Sequence, residues 1–539
     1  MARAKSIVAV LLMLIVLPYS SAQEHEHGSG EKLGTVHFAT SCNDAAQKDF
    51  NRAVALLHSF QFSTAIQGFS AALAKDPTCG ITYWGIALSD WGNPFAAGMK
   101  DKGQLQAGHD SANRGQTAGA KTERERAYIA AVGKLYADFD NTPQRTRLLA
   151  YRDAMGAVAT KYPDDPEAQI FYALALTASE DASDKTYADR LKAGAILEKL
   201  FAEEPTHPGL AHYIIHTYDV PALAGRALVA ARRYSEIAPD APHALHMPSH
   251  TFTRTGYWQE SIDSNVAAAA AARREGQTVE ELHASDYEIY AYLQTGQDRA
   301  ARRIVDSLPE IASRFDPKAL LNGAGGPAGG YFALAAIPAR YALERQDWKA
   351  ATQLPVRESP FAYTEAITWF ARGLGEAQLG RVPAASDAAA ALQKIRQRLL
   401  QANENYWAQQ VEIQQVAVGA WAALAAGKKE EALRQMKLAA DLEDKTEKSA
   451  VTPGPLSPAR ELLGDMLLQM NEPAQAFAQF EATLKKEPGR LRSLSGAGRA
   501  AKLCGHQETS QKYAGDLLKV CARADKSGRC QSEQALLQN

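Results

Sequence analysis

The chain has 539 residues, 46% of them hydrophobic, and a formal net charge of -2 with both signs interspersed. That balance supplies no basic stripe for nucleic acid and no polybasic cluster for an anionic membrane surface. Five cysteines in so long a chain exclude a disulfide-built scaffold.

Residues 1–22 read as a signal peptide: basic "MARAKS", the apolar run "IVAVLLMLIVL", then "PYSSA" with small residues at Ser20 and Ala22. The run is too short to span a bilayer, and no later stretch reaches the ~18 apolar residues that a span needs. The expected product is soluble and exported, periplasmic or secreted if the source is bacterial. Residues 23–45 read as a polar N-terminal tail. Cleavage after Ala22 would expose Gln23-Glu24-His25, where a third-position histidine beside a free amine can chelate Cu(II); cyclisation of Gln23 would remove that amine. Export permits disulfides. Cys42 with Cys79, and two of Cys504, Cys521 and Cys530, are the candidates, and an odd count leaves one thiol over.

From residue 46 onward the pattern is helical. Ala-rich stretches with a 3.6-residue apolar period cover 49–73, 190–201, 222–237, 411–425 and 459–470, and almost nothing alternates with period 2. The fold class is all-α. Short breakers such as "KDPTCG", "EEPTHPG", "APDAPH" and "KEPGR" separate the helices, with proline at helix boundaries where its missing N–H costs little. The organisation reads as N-terminal helical repeats with a Gly-rich insertion (46–165), central repeats carrying a histidine cluster (166–310), further helices after a Gly-rich loop (311–400), and C-terminal repeats with a tail (401–539). Three Gly- or Pro-rich segments break the register, at 92–119, 309–330 and 449–458. Loops of this kind on a helical array either serve one face or are simple insertions.

Pro205 and Pro239 lie 34 residues apart, as do Gly464 and Gly498, and Asn471 and Gly505. Within that period Gly464, Leu467, Ala476, Phe480 and Pro488 form one copy, and Ala65, Phe69, Ala72 and Pro77 part of another. Trp369, Gly373 and Gly380 mark a third. The pattern resembles the tetratricopeptide repeat, in which small residues let two helices approach closely and a proline closes the unit. The resemblance implies a right-handed α-solenoid of helical hairpins, roughly nine of them, stacked into a continuous core. More narrowly, the chain is similar to exported bacterial repeat proteins with an "HALHMPSH"-type segment, a likeness that implies no particular activity.

Two histidine pairs repeat at the same 34-residue offset: His212 and His216, then His246 and His250. Residues i and i+4 share a helix face, so each pair is a clamp. The resemblance implies that positions 2, 5, 9 and 12 of the first helix line a concave groove. His212 and His246 then fall at position 5, His216 and His250 at position 9, Asp219 at position 12, and His243 at position 2. In the following repeat His283, Asp286 and Tyr290 fall at positions 2, 5 and 9.

Imidazole with carboxylate suits a transition metal. The candidate ligands are His212, His216, His243, His246, His250, His283 and Asp219, with Cu or Zn favoured and Fe as the further choice. Tyr290 and Asp286 are the candidate catalytic groups. Met247, one position off the groove, reads as packing. Pro248 would loosen the second clamp unless it lies in a first helical turn. Trp84 and Trp91 share a face and could line the N-terminal groove or the core. Glu461 and Asp465 read as a solvated acidic face, while Glu412, Glu443, Asp444 and Glu447 add carboxylates of no assigned place. No H-E-x-x-H, G-x-S-x-G, P-loop or dinucleotide motif occurs. Three classes follow: a metal-dependent enzyme, either an oxidoreductase or a hydrolase; an interaction scaffold holding a peptide, protein, acidic or small-molecule ligand in its groove; or a metal carrier. The fold alone does not choose among them.

Overall fold

The structure is a computed structural model that describes residues 30–96, 100–321, 323–526 and 528–538. The leader expected at 1–22 and the terminus expected at Gln23-Glu24-His25 lie outside the described residues. Among those described, the regular structure is helical, with no strand. The helices follow one another as antiparallel hairpins, each packed on its predecessor and successor. The result is an all-α solenoid of tetratricopeptide-like hairpins. No described helix is long and apolar enough to cross a membrane.

The small positions make the hairpins possible. A Cβ on Gly464 would stand 2.8 Å from the Phe480 ring, and one on Gly68 would stand 2.9 Å from Ala53 Cβ. Asn43 caps the first helix, Asp44–His58, by accepting the N–H of Ala46. Buried apolar residues between 33 and 252, with Ala324, form one core, those between 332 and 537 a second, and a set between 282 and 337 a smaller third. The array also curls onto itself. Trp258 Nε1 donates to Gly489 O across 231 residues at 3.0 Å, and Lys448 Nζ reaches Asp219 across 229. Disulfides join Cys42 to Cys79 and Cys521 to Cys530, leaving Cys504 free.

Several sequence expectations are corrected. The tail does not trail as far as residue 45. Leu33, Val36 and Phe38 are buried, Phe38 packs 5.3 Å from Phe50 and from Trp84, and Thr35 N–H donates to Thr206 O. Its alternating apolar residues give it a face to bury. Of the two places open to Trp84 and Trp91, groove or core, both occupy the core. Glu461 is not solvated: it is fully buried against Arg490 and Arg492. Asp465, bonded to Arg492, is pushed up to about 6 by burial. Pro248 opens its own helix, Pro248–Thr255, directly after the short helix Pro242–His246. Met247 keeps helical dihedrals between them, so the two segments run on and the second clamp stays tight.

Candidate metal centre

One construction rule builds the site twice. The helix Pro208–Thr217 presents His212 and His216, and the next hairpin adds His243 at position 2. The segments 242–246 and 248–255 present His246 and His250, and the helix Thr278–Gln294 adds His283 at position 2. Positions 5 and 9 of one repeat thus meet position 2 of the following one. In each cluster one ligating atom per residue lies within 4.8 Å of the others. Ring centroids of His212 and His243 are 5.0 Å apart, those of His246 and His283 4.4 Å. The clusters adjoin: His216 and His250 are separated by 5.9 Å, as are His243 and His246.

The nitrogens divide by role. His212 Nδ1 bonds His58 O at 2.6 Å, and His243 Nδ1 bonds Glu280 Oε1 at 2.8 Å. His246 Nδ1 bonds Asn265 Oδ1 at 2.7 Å, and His250 Nδ1 bonds Asp219 Oδ2 at 3.0 Å. All four partners are acceptors, so the proton sits on Nδ1 and the Nε2 lone pair is free. In the first cluster the Nε2 atoms of His212, His216 and His243 are all buried without a hydrogen-bond partner. In the second, His246 Nε2 and His250 Nε2 face each other at 3.0 Å. Buried polar atoms normally find partners, and an outward Nδ1–H anchored to an acceptor is how metal-binding imidazoles are oriented. The donor set therefore fits a transition-metal ion in each cluster.

The electrostatics agree. Burial holds His246 at about 3 and His250 at about 4. Burial, reinforced by neighbouring imidazoles, takes His212, His216 and His283 well below the ordinary value. These side chains are neutral imidazoles at pH 7. Burial alone would raise Glu280, but its hydrogen bond to His243 and the surrounding imidazoles outweigh it and hold the carboxyl well below the usual carboxylate range. Its bonds are to His243 and the Ala324 N–H, and no lysine or arginine among the described residues pairs with it. A buried carboxylate without a basic side chain is costly unless another positive charge lies nearby. Asp219 is different: Arg254 and Lys448 both pair with it. Burial also lowers Lys448 to about 8.

All three register-breaking segments converge here. Phe95, from the first, stacks on His216 at 4.1 Å. The second supplies the Ala324 N–H to Glu280. The third, 449–458, together with residues 445–448 before it, forms a strap between two helices: Tyr287 Oη donates to Ala450 O and Thr452 O at 3.0 Å, and Arg340 bonds Thr452, Gly454 and Pro455. These are covering segments rather than simple insertions.

Asp286 and Tyr290 do sit at positions 5 and 9, but one layer beyond the histidines. Asp286 pairs with buried Arg340, and Tyr290 bonds Glu487 and Arg490. The tyrosine on the imidazoles is Tyr287, stacked 4.6 Å from His250. Asp219 lies behind His250 and faces its Nδ1, not the Nε2 atoms. Met247 is fully buried packing. Sequence reasoning also missed Glu280, Asn265 and a third group in which Glu167 accepts from His58 Nε2 at 2.9 Å and His207 Nε2 at 3.1 Å. Glu280 lies one helical turn before His283, a spacing that could have drawn attention to it. Nothing in the 34-residue period points to His58, because it arrives by curvature of the array.

Fold and site together define a tetratricopeptide-like solenoid with a histidine-filled interior. No family model matches the chain, and no curated protein matches it. Among solved structures it is similar to a human IFIT1 dimer with m7Gppp-AAAA, at 11% identity and a TM-score of 0.37 over 90% of this chain and 96% of that one. It is also similar to a tetratricopeptide repeat protein from Parabacteroides merdae, at 11% identity and a TM-score of 0.24 over 77% of this chain and 100% of that one. Likenesses this distant carry nothing about the ligand.

Proposed function

We propose that this chain is an exported metal-binding solenoid whose two three-histidine clusters each take one transition-metal ion, Cu or Zn first and Fe next. The observation that carries the reading is the trio of buried, unpartnered Nε2 atoms on His212, His216 and His243. The ions would supply Lewis acidity or redox capacity. The protein's contribution is to hold neutral imidazoles by their Nδ1 protons and to cover them with Phe60, Phe95 and Tyr287. That enclosure favours a carrier, store or electron-handling role over hydrolysis, which needs an open coordination position. The two disulfides support the export reading. Metal analysis of untagged protein, loaded in turn with Cu, Zn, Fe and Ni and dialysed at pH 7.5, tests the proposal. Two equivalents are expected in wild type and one in His212→Ala/His216→Ala. Retention of no metal sinks it.

The scaffold alternative has its own observation. A cleft lined by Phe332, Tyr363 and Trp407, with Arg460 and Lys486 at its edge paired to Asp444, lies in the C-terminal half. Acidic peptides quenching Trp407 emission in metal-free protein, with the effect lost in Trp407→Phe, would favour that reading. An RNA oligonucleotide in the same titration checks the charge-based expectation of no nucleic-acid partner.

A further inference from the structure

The two clusters share a donor set, but their charged surroundings differ. Behind the first stands Glu280, a buried carboxylate bonded to the ligand His243 through Nδ1. None of the described lysines or arginines pairs with it. A dication at the first cluster would face that charge across one imidazole ring. Behind the second stand Asn265, which is neutral, and Asp219. Asp219 is already engaged by two cations, Arg254 Nε at 2.9 Å and Lys448 Nζ at 3.1 Å. Lys448 comes from the strap, is buried with its side chain 5% exposed, and stands 5.9 Å from the Tyr287 ring that stacks on His250. Glu280 is bonded directly to a ligand of the first cluster, although its charge also reaches His246 and His283. Lys448 adds a cation behind the second cluster that the first does not have, in company with Arg254 and the nearby Glu447. Between buried groups such a difference is weakly screened.

We infer that the two sites are inequivalent: the cluster of His212, His216 and His243 is the high-affinity site for a divalent ion, and Lys448 makes the cluster of His246, His250 and His283 the weaker one. The inference rests on the metal reading above and adds to it an order of loading and a residue that sets the order. The weaker site should favour a singly charged ion, because Lys448 repels one positive charge less than two. Under anaerobic conditions with both ions supplied, Zn(II) fills the first cluster and Cu(I) the second.

The test is a Zn(II) titration of the metal-free, untagged full chain at pH 7.0 against a chelating indicator. Wild type gives two affinities at least tenfold apart. His246→Ala/His250→Ala keeps the tight one, and His212→Ala/His216→Ala keeps the weak one. Lys448→Met tightens the weak site at least tenfold and leaves the tight one in place. Glu280→Gln weakens the tight site by a similar factor. Two equal affinities, or retention of the tight site by the protein lacking His212 and His216, overturn the inference while the metal reading stands. Should Lys448→Met or Glu280→Gln lose its helical signal, the two double-histidine variants still decide the order. Failure of wild type to bind Zn, Cu, Fe or Ni removes the parent reading as well.

Discussion

Acidification of the metal-free protein puts a number on the burial of the second clamp. In the unfolded chain His246 and His250 titrate near ~6.5; in the folded chain burial holds them at about 3 and about 4. Between those values the unfolded state binds protons that the native state refuses, so stability falls as pH drops from 6.5 toward the folded values. At pH 5 each imidazole costs about 2 kcal/mol, or about 4 kcal/mol for the pair. Carboxylates raised to about 7, namely Glu275, Glu288 and Glu443, work the other way, because the native state takes up their protons first. The raw pH profile therefore mixes both signs. The difference between wild type and His246→Asn/His250→Asn cancels the carboxylates. Urea unfolding followed by far-UV circular dichroism at pH 7.5 and pH 5.0 measures it. Wild type should lose about 4 kcal/mol more than the variant on acidification. An equal loss in both proteins would falsify the account of these histidines as buried and neutral.

The same low folded values move metal release. Protons compete for the imidazoles only near 3–4, so a loaded protein should keep its metal well below pH 6.5 and release it below about pH 5; half-release at pH 6.5 in a dialysis series would contradict this. Arg490→Met should destabilise by about 3–5 kcal/mol, because it strands Glu344 in the interior and leaves Glu461 only Arg492; a thermal midpoint within two degrees of wild type would contradict it. Gly464→Ala should cost about 1–3 kcal/mol through the Phe480 ring, measured by the same urea assay. Reduction of Cys42–Cys79, at a sequence separation of 37, should cost about 4 kcal/mol, against about 2.5 kcal/mol for Cys521–Cys530; single Cys→Ser variants separate the two. Tyr287→Phe should release the strap, read as faster tryptic cleavage after Lys448 with the helical signal unchanged.

The histidine clamps were legible because a helix converts a spacing of four into a shared face and a repeat converts an offset of 34 into adjacency. His243 and His283 were legible for the same reason. What the period could not tell was how the layers pair. A reading within one repeat puts Asp286 and Tyr290 beside His283, but position 2 belongs to the layer before it, so those residues meet Arg340 and Arg490 instead. Tyr287 went unnoticed because it is a position off the expected groove, although it is one turn from His283. The acceptors that set the tautomers, His58 O, Asn265 and Glu280, come from a distant helix, the second helix of a hairpin and a helix start. Only packing brings them in. The covering segments were visible as breaks in the register, and their common destination was not.

The strap has a consequence for the history of the fold. Every histidine of the two clusters precedes residue 284, whereas Tyr287 waits for carbonyls 163 and 165 residues further on. On a chain growing from its N-terminus, the centre is assembled while its cover has yet to be synthesised. Contacts of such long sequence separation form late. On such a chain the imidazoles would be in place before the carbonyls of Ala450 and Thr452 close over Tyr287. On the proposed metal reading, an ion could then enter without any part of the finished solenoid having to move.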